Sequence, residues 1–294
     1  MTPTVSIVLP TYTRAHILKK SIDSILAQSY TDFELIIADD CSKDNTKELV
    51  DSYQDSRIKY FYSEKNLGAA GARNFGASKA TAPYLAFQDS DTVWCPNKLE
   101  LQMQYLKEHP EVSLVACSYF LEGKTRILEP DQTYLQQLSS YHIFYDLLVK
   151  PLIGTPTILM DSNAFHSIGG FNNSLRSHED YEFSLRVAKS YQISFIKEPL
   201  LYAYQLDASV NANYHEILRT NYYILNLYKD IYSSHPDFEN AMLDRLFSYA
   251  ILGNEGQYFF DELASYVIST NRRELYYHYE KQYNDLLKQL EDKY

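Results

Sequence analysis

Residues 82–91 read APYLAFQDSD. Tyr84–Phe87 is a short apolar run with strand character, and it ends in two carboxylates one residue apart, Asp89 and Asp91. Such a pair is either a turn, since Asp and Ser are common turn formers, or a metal site. Taken alone, the turn is the commoner reading, so the surrounding chain has to decide. Upstream, VSIVLP (5–10), FELIIADD (33–40) and RIKYFYS (57–63) read as buried strands. Between them lie the helical patterns HILKKSIDSILAQ, with Ile17, Leu18, Ile22, Ile25 and Leu26 on one face, and KDNTKELVDSYQ. GAAGARNFGASKA (68–80) reads as a helix of small residues able to sit close to a sheet or a ligand. Downstream, NKLELQMQYLKEH reads as a helix stopped by Pro110, and VSLVACSYFL as a fifth strand.

This alternation predicts an α/β fold: a mostly parallel central sheet with helices on both faces. Ligands of open α/β sheets bind outside the carboxyl ends of the strands. Asp39, Asp40 and Asp89 fall at predicted strand ends, with Asp91 just beyond. That position argues for a site more strongly than their charge does. In an extended D-x-D segment both side chains leave by the same face, and hard carboxylate oxygens suit Mg²⁺ or Mn²⁺.

The second half is less regular. EGKTRILEP reads as an edge hairpin, SYHIFYDLLVK as a helix, and GTPTILMDSNAFHSIGGF as a strand, a short helix and a Gly-Gly turn. EDYEFSLRVAKSY reads as a helix whose first turn carries Glu179, Asp180 and Glu182, where acidic groups favour the positive helix end. QISFIKEPLLYAYQL supplies one or two strands. From about residue 212 the chain becomes entirely helical in pattern, in four segments partly separated by Pro236 and GNEG. The expected domains are therefore 1–211, with a nucleotide-binding half to about 120 and an acceptor-binding half over 121–211, and a helical C-terminal domain, 212–294. Many of the 28 tyrosines fall in that last third, where helix packing is the first explanation for them.

Composition narrows the function. A formal charge of -11 does not suit a sequence-independent nucleic-acid binder, which needs Lys and Arg against phosphates. The three cysteines form no C-x-x-C pair, so neither a zinc site nor a disulfide framework is expected. The N-terminus has no signal-peptide pattern and no window is long and apolar enough to span a bilayer, so the expected location is cytoplasmic, with peripheral contact at the inner membrane face left open. No G-x-G-x-x-G follows the first strand, and there is no P-loop.

Together, VSIVLPTYTR, DFELIIADDCSKDNT, NLGAAGARNFG, QDSD, IGGF and HEDYEF, in this order, resemble the family 2 glycosyltransferases of the GT-A fold, over about residues 4–205. The resemblance implies a Rossmann-like nucleotide-binding half and inverting transfer from a UDP-sugar with Mn²⁺ or Mg²⁺ as cofactor. It implies that Pro10, Thr11, Tyr12 and Asp40 hold the base, and that Arg14, Asn66, Gly68, Arg73, Asp89 and Ser90 complete the nucleotide site. Asp91 is then the metal ligand, with Asp89 facing the ribose and close to the same ion. The acid pair Glu179-Asp180 supplies the base, with Asp180 the choice, and Gly169, Gly170 and Phe171 shape the acceptor side. Where many members carry a metal-binding His, this chain has Asp207, a candidate ligand, with His178 and His215 as alternatives.

The expected function is hexosyl or N-acetylhexosaminyl transfer to a hydroxyl of a glycan, glycoprotein or lipid-linked acceptor in bacterial surface polysaccharide synthesis or protein glycosylation. Two other readings compete: a non-catalytic interaction protein on the same scaffold, motivated by the Tyr-rich helices, and a sugar nucleotidyltransferase, disfavoured because PTYTRAH lacks a glycine-rich loop. The C-terminal helices are the candidate surface for homo-oligomers.

Overall fold

A computed structural model of the chain describes residues 2–123, 126–130, 143–204 and 213–252, together with 263, 265–267, 277, 278, 280 and 281. It contains two compact units, Met1–Asn211 and Ala212–Tyr294.

In the first unit, β1 (Val5–Thr11), β2 (Phe33–Asp39), β3 (Ile58–Tyr62) and β4 (Tyr84–Phe87) pair in parallel, in the order β3-β2-β1-β4. Every residue of β2 and nearly every residue of β1 is buried, which is why these strands read as unbroken apolar runs rather than alternating ones. The order reverses between β1 and β4. Loops leaving β1 and β4 therefore part to opposite sides, and a crevice opens at the carboxyl ends. Helices α1 (Ala15–Leu26), α2 (Thr46–Asp51) and α3 (Gly68–Ala77) follow β1, β2 and β3 in turn. At Gly76 a Cβ would lie 2.5 Å from Val8 Cγ1, so only glycine lets α3 approach β1 this closely.

Beyond β4 the sheet becomes mixed. β8 (Leu159–Asp161) pairs antiparallel with β4 and with β6 (Val112–Glu122), while β6 runs parallel to β9 (Gln192–Tyr204). The segment 192–204 is one long strand. β7 (Arg126–Glu129) folds back on β6, giving the expected edge hairpin. Parallel pairing thus dominates the half up to β4, and the later strands pair mostly antiparallel, with helices α4 (Lys98–Glu108), α5 (Ile143–Val149) and α6 (Ser162–Ser167) lying between them in the chain. Helix α7 (Glu179–Ser190) precedes β9 directly.

Sequence reading missed one strand. β5 (Thr92–Trp94) pairs antiparallel with Leu201–Ala203 of β9. At three residues it is too short to show a period. The D-x-D segment is also not extended: the Thr92 N–H donates to the Asp89 carbonyl at 3.2 Å, closing a turn. The turn is pinned from below by Ser21, whose hydroxyl donates to the carbonyls of Asp89 and Thr92 at 3.0 and 2.7 Å. A buried strand that stops and immediately re-pairs in another direction needs this reversal.

The second unit begins with helices at Tyr214–Leu227, Lys229–Ser234 and Pro236–Leu252. Tyr228 and Tyr232 are buried in it, and the rings of Tyr214 and Tyr249 lie 6.1 Å apart, so several tyrosines pack between helices. Most of the last two expected helices lies outside the described residues. No described helix is long and apolar enough to cross a membrane.

Candidate functional site

The loops after β1 and β2 are tied together before they reach the crevice. The Asp40 N–H donates to the Thr11 carbonyl at 2.8 Å, the Thr13 N–H to Ser42 Oγ at 2.8 Å, and the Ala15 N–H to Asp44 Oδ2 at 3.0 Å. Thr13 accepts a left-handed φ of 52° in this arrangement. The backbone around Pro10–Ala15 is thereby fixed against the end of β2.

The adjacent aspartates of β2 have different tasks. Asp39 accepts from the Ser42 N–H at 2.8 Å and the Tyr60 hydroxyl at 2.5 Å, and it borders a separate cavity. Asp40 faces the crevice, and its two oxygens accept the Leu67 and Gly68 N–H groups at 2.6 and 3.0 Å. Asp40 therefore caps α3, not the helix that follows it in sequence; Asp44 binds the Thr46 N–H at the start of that one. Burial raises the Asp40 carboxyl above its ordinary range against the pull of the two N–H groups; Asp39 adds to the rise and Arg176 opposes it.

Arg73, on α3, joins the two halves of the site. Its Nη2 donates to Asp89 Oδ1 at 2.7 Å and its Nη1 to Glu179 Oε1 at 2.6 Å. The guanidinium lies 5.6 Å from the Phe171 ring centre, and the side chain is only 8% exposed. Sequence alone leaves a surface ion pair open for this arginine; the structure instead buries it between two carboxylates. Asp91 has a different partner, Arg14, whose Nη1 donates to Asp91 Oδ2 at 3.0 Å. Burial and the neighbouring Asp89 raise the Asp91 carboxyl, and Arg14 works against both.

Asp180 sits in the first turn of α7. Its Oδ2 accepts the Thr155 N–H at 3.2 Å, with the Thr155 hydroxyl at 3.5 Å. Burial, then Glu179, push its carboxyl up to about 6, while Arg73 and the Thr155 N–H hold it down. A group titrating there is ionised near neutrality yet basic enough to take a proton.

A cleft of about 440 Å³ opens at the sheet's switch point. Its walls include Pro10, Thr11, Tyr12, Arg14, Asp40, Asn66, Gly68, Arg73, Asp89, Ser90 and Asp91. The residues assigned above to the nucleotide therefore share one cavity with the proposed metal ligand. Glu179 and Asp180 are outside its walls and connect to it through Arg73. Gly169 is exposed, while Gly170 and Phe171 are buried. Phe171 is 2% exposed, stacks on Phe183 at 4.3 Å and meets Phe87 edge-on, so it has no face left for a ligand. Its backbone N–H and carbonyl are both held by Asn74, at 2.9 and 2.8 Å. Gly170, at φ 67°, leaves room for that same Asn74 side chain. The Phe171 ring thus packs against the Arg73 guanidinium. Asp207 lies outside the described residues. His178 takes a left-handed φ of 53° at the N-cap of α7.

Several site residues were not foreseen. Thr155 orients Asp180. Arg176 packs over Gly68, where a Cβ would be 2.7 Å from its Nη1. Ser21 was legible in one respect: it is a polar residue on the apolar face of α1.

The donor set fits a divalent cation. The carboxylates of Asp40, Asp89, Asp91, Glu179 and Asp180 outnumber the guanidiniums of Arg14, Arg73 and Arg176 in and around the cleft. No cluster of three or more His, Cys, Asp or Glu able to hold a metal occurs among the described residues. Mg²⁺ is commonly held by one or two carboxylates plus phosphate oxygens, and Asp89 and Asp91 are the carboxylates of the turn that line the cleft. Thr11 lines the cleft, and its buried hydroxyl has no hydrogen-bond partner.

Comparison with known proteins adds an independent line. Residues 6–169 match the family model for glycosyl transferase family 2. The chain is 35% identical over 193 residues to the UDP-Glc:alpha-D-GlcNAc-diphosphoundecaprenol beta-1,3-glucosyltransferase WfgD of Escherichia coli, covering 65% of this chain and 72% of that one. Its fold is similar to S. aureus TarS (residues 1–349) in complex with UDP-GlcNAc, with TM-score 0.65 and 18% identity over 96% of this chain and 92% of that one. It is also similar to the mannosyltransferase PcManGT of Pyrobaculum calidifontis in complex with GDP-Man and Mn²⁺, with TM-score 0.63 and 17% identity over 98% and 85%.

Proposed function

Because the chain belongs to glycosyl transferase family 2, we propose that its cleft binds a UDP-sugar and that Asp180 activates an acceptor hydroxyl for inverting transfer of a hexosyl or N-acetylhexosaminyl group. The observation that carries this reading is the Arg73 bridge. One buried guanidinium binds Asp89 of the cleft and Glu179 beside Asp180, so donor site and base are held in fixed relation.

In this reading Thr11, Asp40 and Asn66 border the end that takes the base. Asp89, restrained by Arg73, faces the ribose. Asp91 would hold Mn²⁺ or Mg²⁺, with Asp89 close by, and such an ion supplies the positive charge that stabilises a departing diphosphate. Asp180 takes the proton of the acceptor hydroxyl as that oxygen attacks the anomeric carbon from the face opposite the nucleotide; a positioned base of this kind contributes roughly 10²–10⁴-fold. Thr155 fixes one carboxylate oxygen, and Glu179, held by Arg73, keeps the Asp180 proton affinity high. The acceptor is a hydroxyl of a glycan, glycoprotein or lipid-linked sugar. The E. coli relative, which acts on a diphosphoundecaprenol-linked sugar, supports the lipid-linked acceptor.

The test is to incubate the purified chain with Mn²⁺ and a panel of UDP- and GDP-sugars, and to follow nucleotide release and melting temperature. Release from a UDP-sugar, with UDP raising the melting temperature, is the expected result. Linkage gives about 2.7 kcal/mol at a hundredfold excess over Kd. A protein that ignores every UDP-sugar and is not stabilised by UDP would end the proposal.

A further inference from the structure

The two aspartates of the turn are held in unequal ways. Asp89 is bound by Arg73, which is 8% exposed and committed on both sides. Asp91 is bound through a single contact by Arg14, whose side chain is 40% exposed. The Arg14 backbone is fixed: its carbonyl accepts the Ile17 and Leu18 N–H groups at 3.0 Å, and its neighbours Thr13 and Ala15 are tied to Ser42 and Asp44. Only the side chain is left to move, on the wall of the same cleft.

The geometry points to a switching role for Arg14: its guanidinium competes with the divalent cation for Asp91 and, once displaced, binds the phosphates of the donor. This rests on the reading of Asp91 as the cation ligand. A guanidinium and a divalent ion draw on the same carboxylate charge, and they repel each other at this separation. A diphosphate offers the released guanidinium a bidentate partner that Asp91, engaged through one oxygen, does not. Cation and nucleotide binding are then coupled through one side chain: each favours the arrangement the other needs. Arg73 cannot take this part, because its buried guanidinium is shared by two half-buried carboxylates, Asp89 and Glu179, and moving it would break both ion pairs.

The signature is a pair of effects of opposite sign. In Arg14→Ala, Mn²⁺ alone, measured by water-proton relaxation with the full chain, binds about two- to fivefold tighter, the scale of a half-exposed ion pair removed. In saturating Mn²⁺, UDP binds about tenfold or more weaker, the scale of a lost charged hydrogen bond. Arg14→Lys, which keeps charge without the fork, falls between on both measures. A merely structural role would weaken both ligands together. Unchanged or weaker binding of Mn²⁺ alone in Arg14→Ala overturns the inference. Asp91→Asn separates the two failures. If it binds Mn²⁺ as the parent does, the cation reading of Asp91 fails and the switch fails with it. If Asp91→Asn loses Mn²⁺ while Arg14→Ala shows no gain, only the switch is refuted.

Discussion

Replacing Asp180 with Asn should change activity and stability in opposite directions. The Asp180 carboxyl is pushed from 3.8 up to about 6, first by burial and then by Glu179. Between those values the folded protein holds a proton that the unfolded chain has released. Stability from this group is therefore present below pH 4 and is lost as pH rises towards 6. At about 1.4 kcal/mol per tenfold change in ionisation, the full displacement corresponds to about 3 kcal/mol at neutral pH. Asn keeps an oxygen for the Thr155 N–H and brings no charge beside Glu179, but it loses the Tyr181 N–H that Oδ1 accepts at 2.8 Å. Asp180→Asn should thus gain about 1–3 kcal/mol at pH 7, less than the full value because Arg73 also relaxes. Over the same substitution turnover should fall by roughly 10²–10⁴, with UDP affinity nearly unchanged because Asp180 is not in the cleft wall.

Urea unfolding at pH 4 and at pH 7 reads the first effect. The advantage of Asp180→Asn should be largest at pH 7 and nearly absent at pH 4. The second is read as kcat/KM against pH, where the parent should lose activity below about pH 6. A variant that turns over within tenfold of the parent, or one less stable than the parent at pH 7, would refute the assignment of Asp180 as a strained base.

Arg73→Ala should cost about 3–5 kcal/mol in urea unfolding, because Asp89 and Glu179 lose their shared buried partner. Gly170→Ala should be destabilised by roughly 1–3 kcal/mol: its φ of 67° disfavours any side chain, and the new Cβ would lie 2.5 Å from Asn74 Oδ1. Calorimetry should show a lowered Tm. Lys98 is fully buried, donates to Gln102 Oε1 at 2.7 Å and lies 4.0 Å from the Trp94 ring centre; burial pulls it down to about 8. The unfolded lysine keeps its proton to about pH 10.5, so this group adds stability as pH rises from about 8. The stability of Lys98→Met relative to the parent should therefore decline over that range, by as much as about 3 kcal/mol; a pH-independent difference would show that Lys98 stays charged.

What was legible in the sequence is what local chemistry encodes. β1 and β2 announce themselves because both faces are buried, so apolar residues run without interruption. The cleft was legible because ligands of open α/β sheets bind outside the carboxyl ends of the strands, and Asp40, Asp89 and Asp91 lie at or just beyond such ends. What stayed hidden depends on partners distant in sequence. Arg73 and Glu179 are 106 residues apart, and nothing in NLGAAGARNFG says which carboxylates its arginine will meet. Phe171 reads equally well as a ligand wall or a core ring, and only the packing of Phe87, Phe165 and Phe183 around it decides. β5 was invisible because three residues carry no period, yet it is the reason the D-x-D segment turns instead of extending. The two readings of that segment, turn or site, are therefore not alternatives. The turn directs Asp89 to Arg73 and Asp91 to Arg14, and that division makes the two aspartates chemically distinct: one fixed by a buried guanidinium, the other held by a side chain free enough to release it.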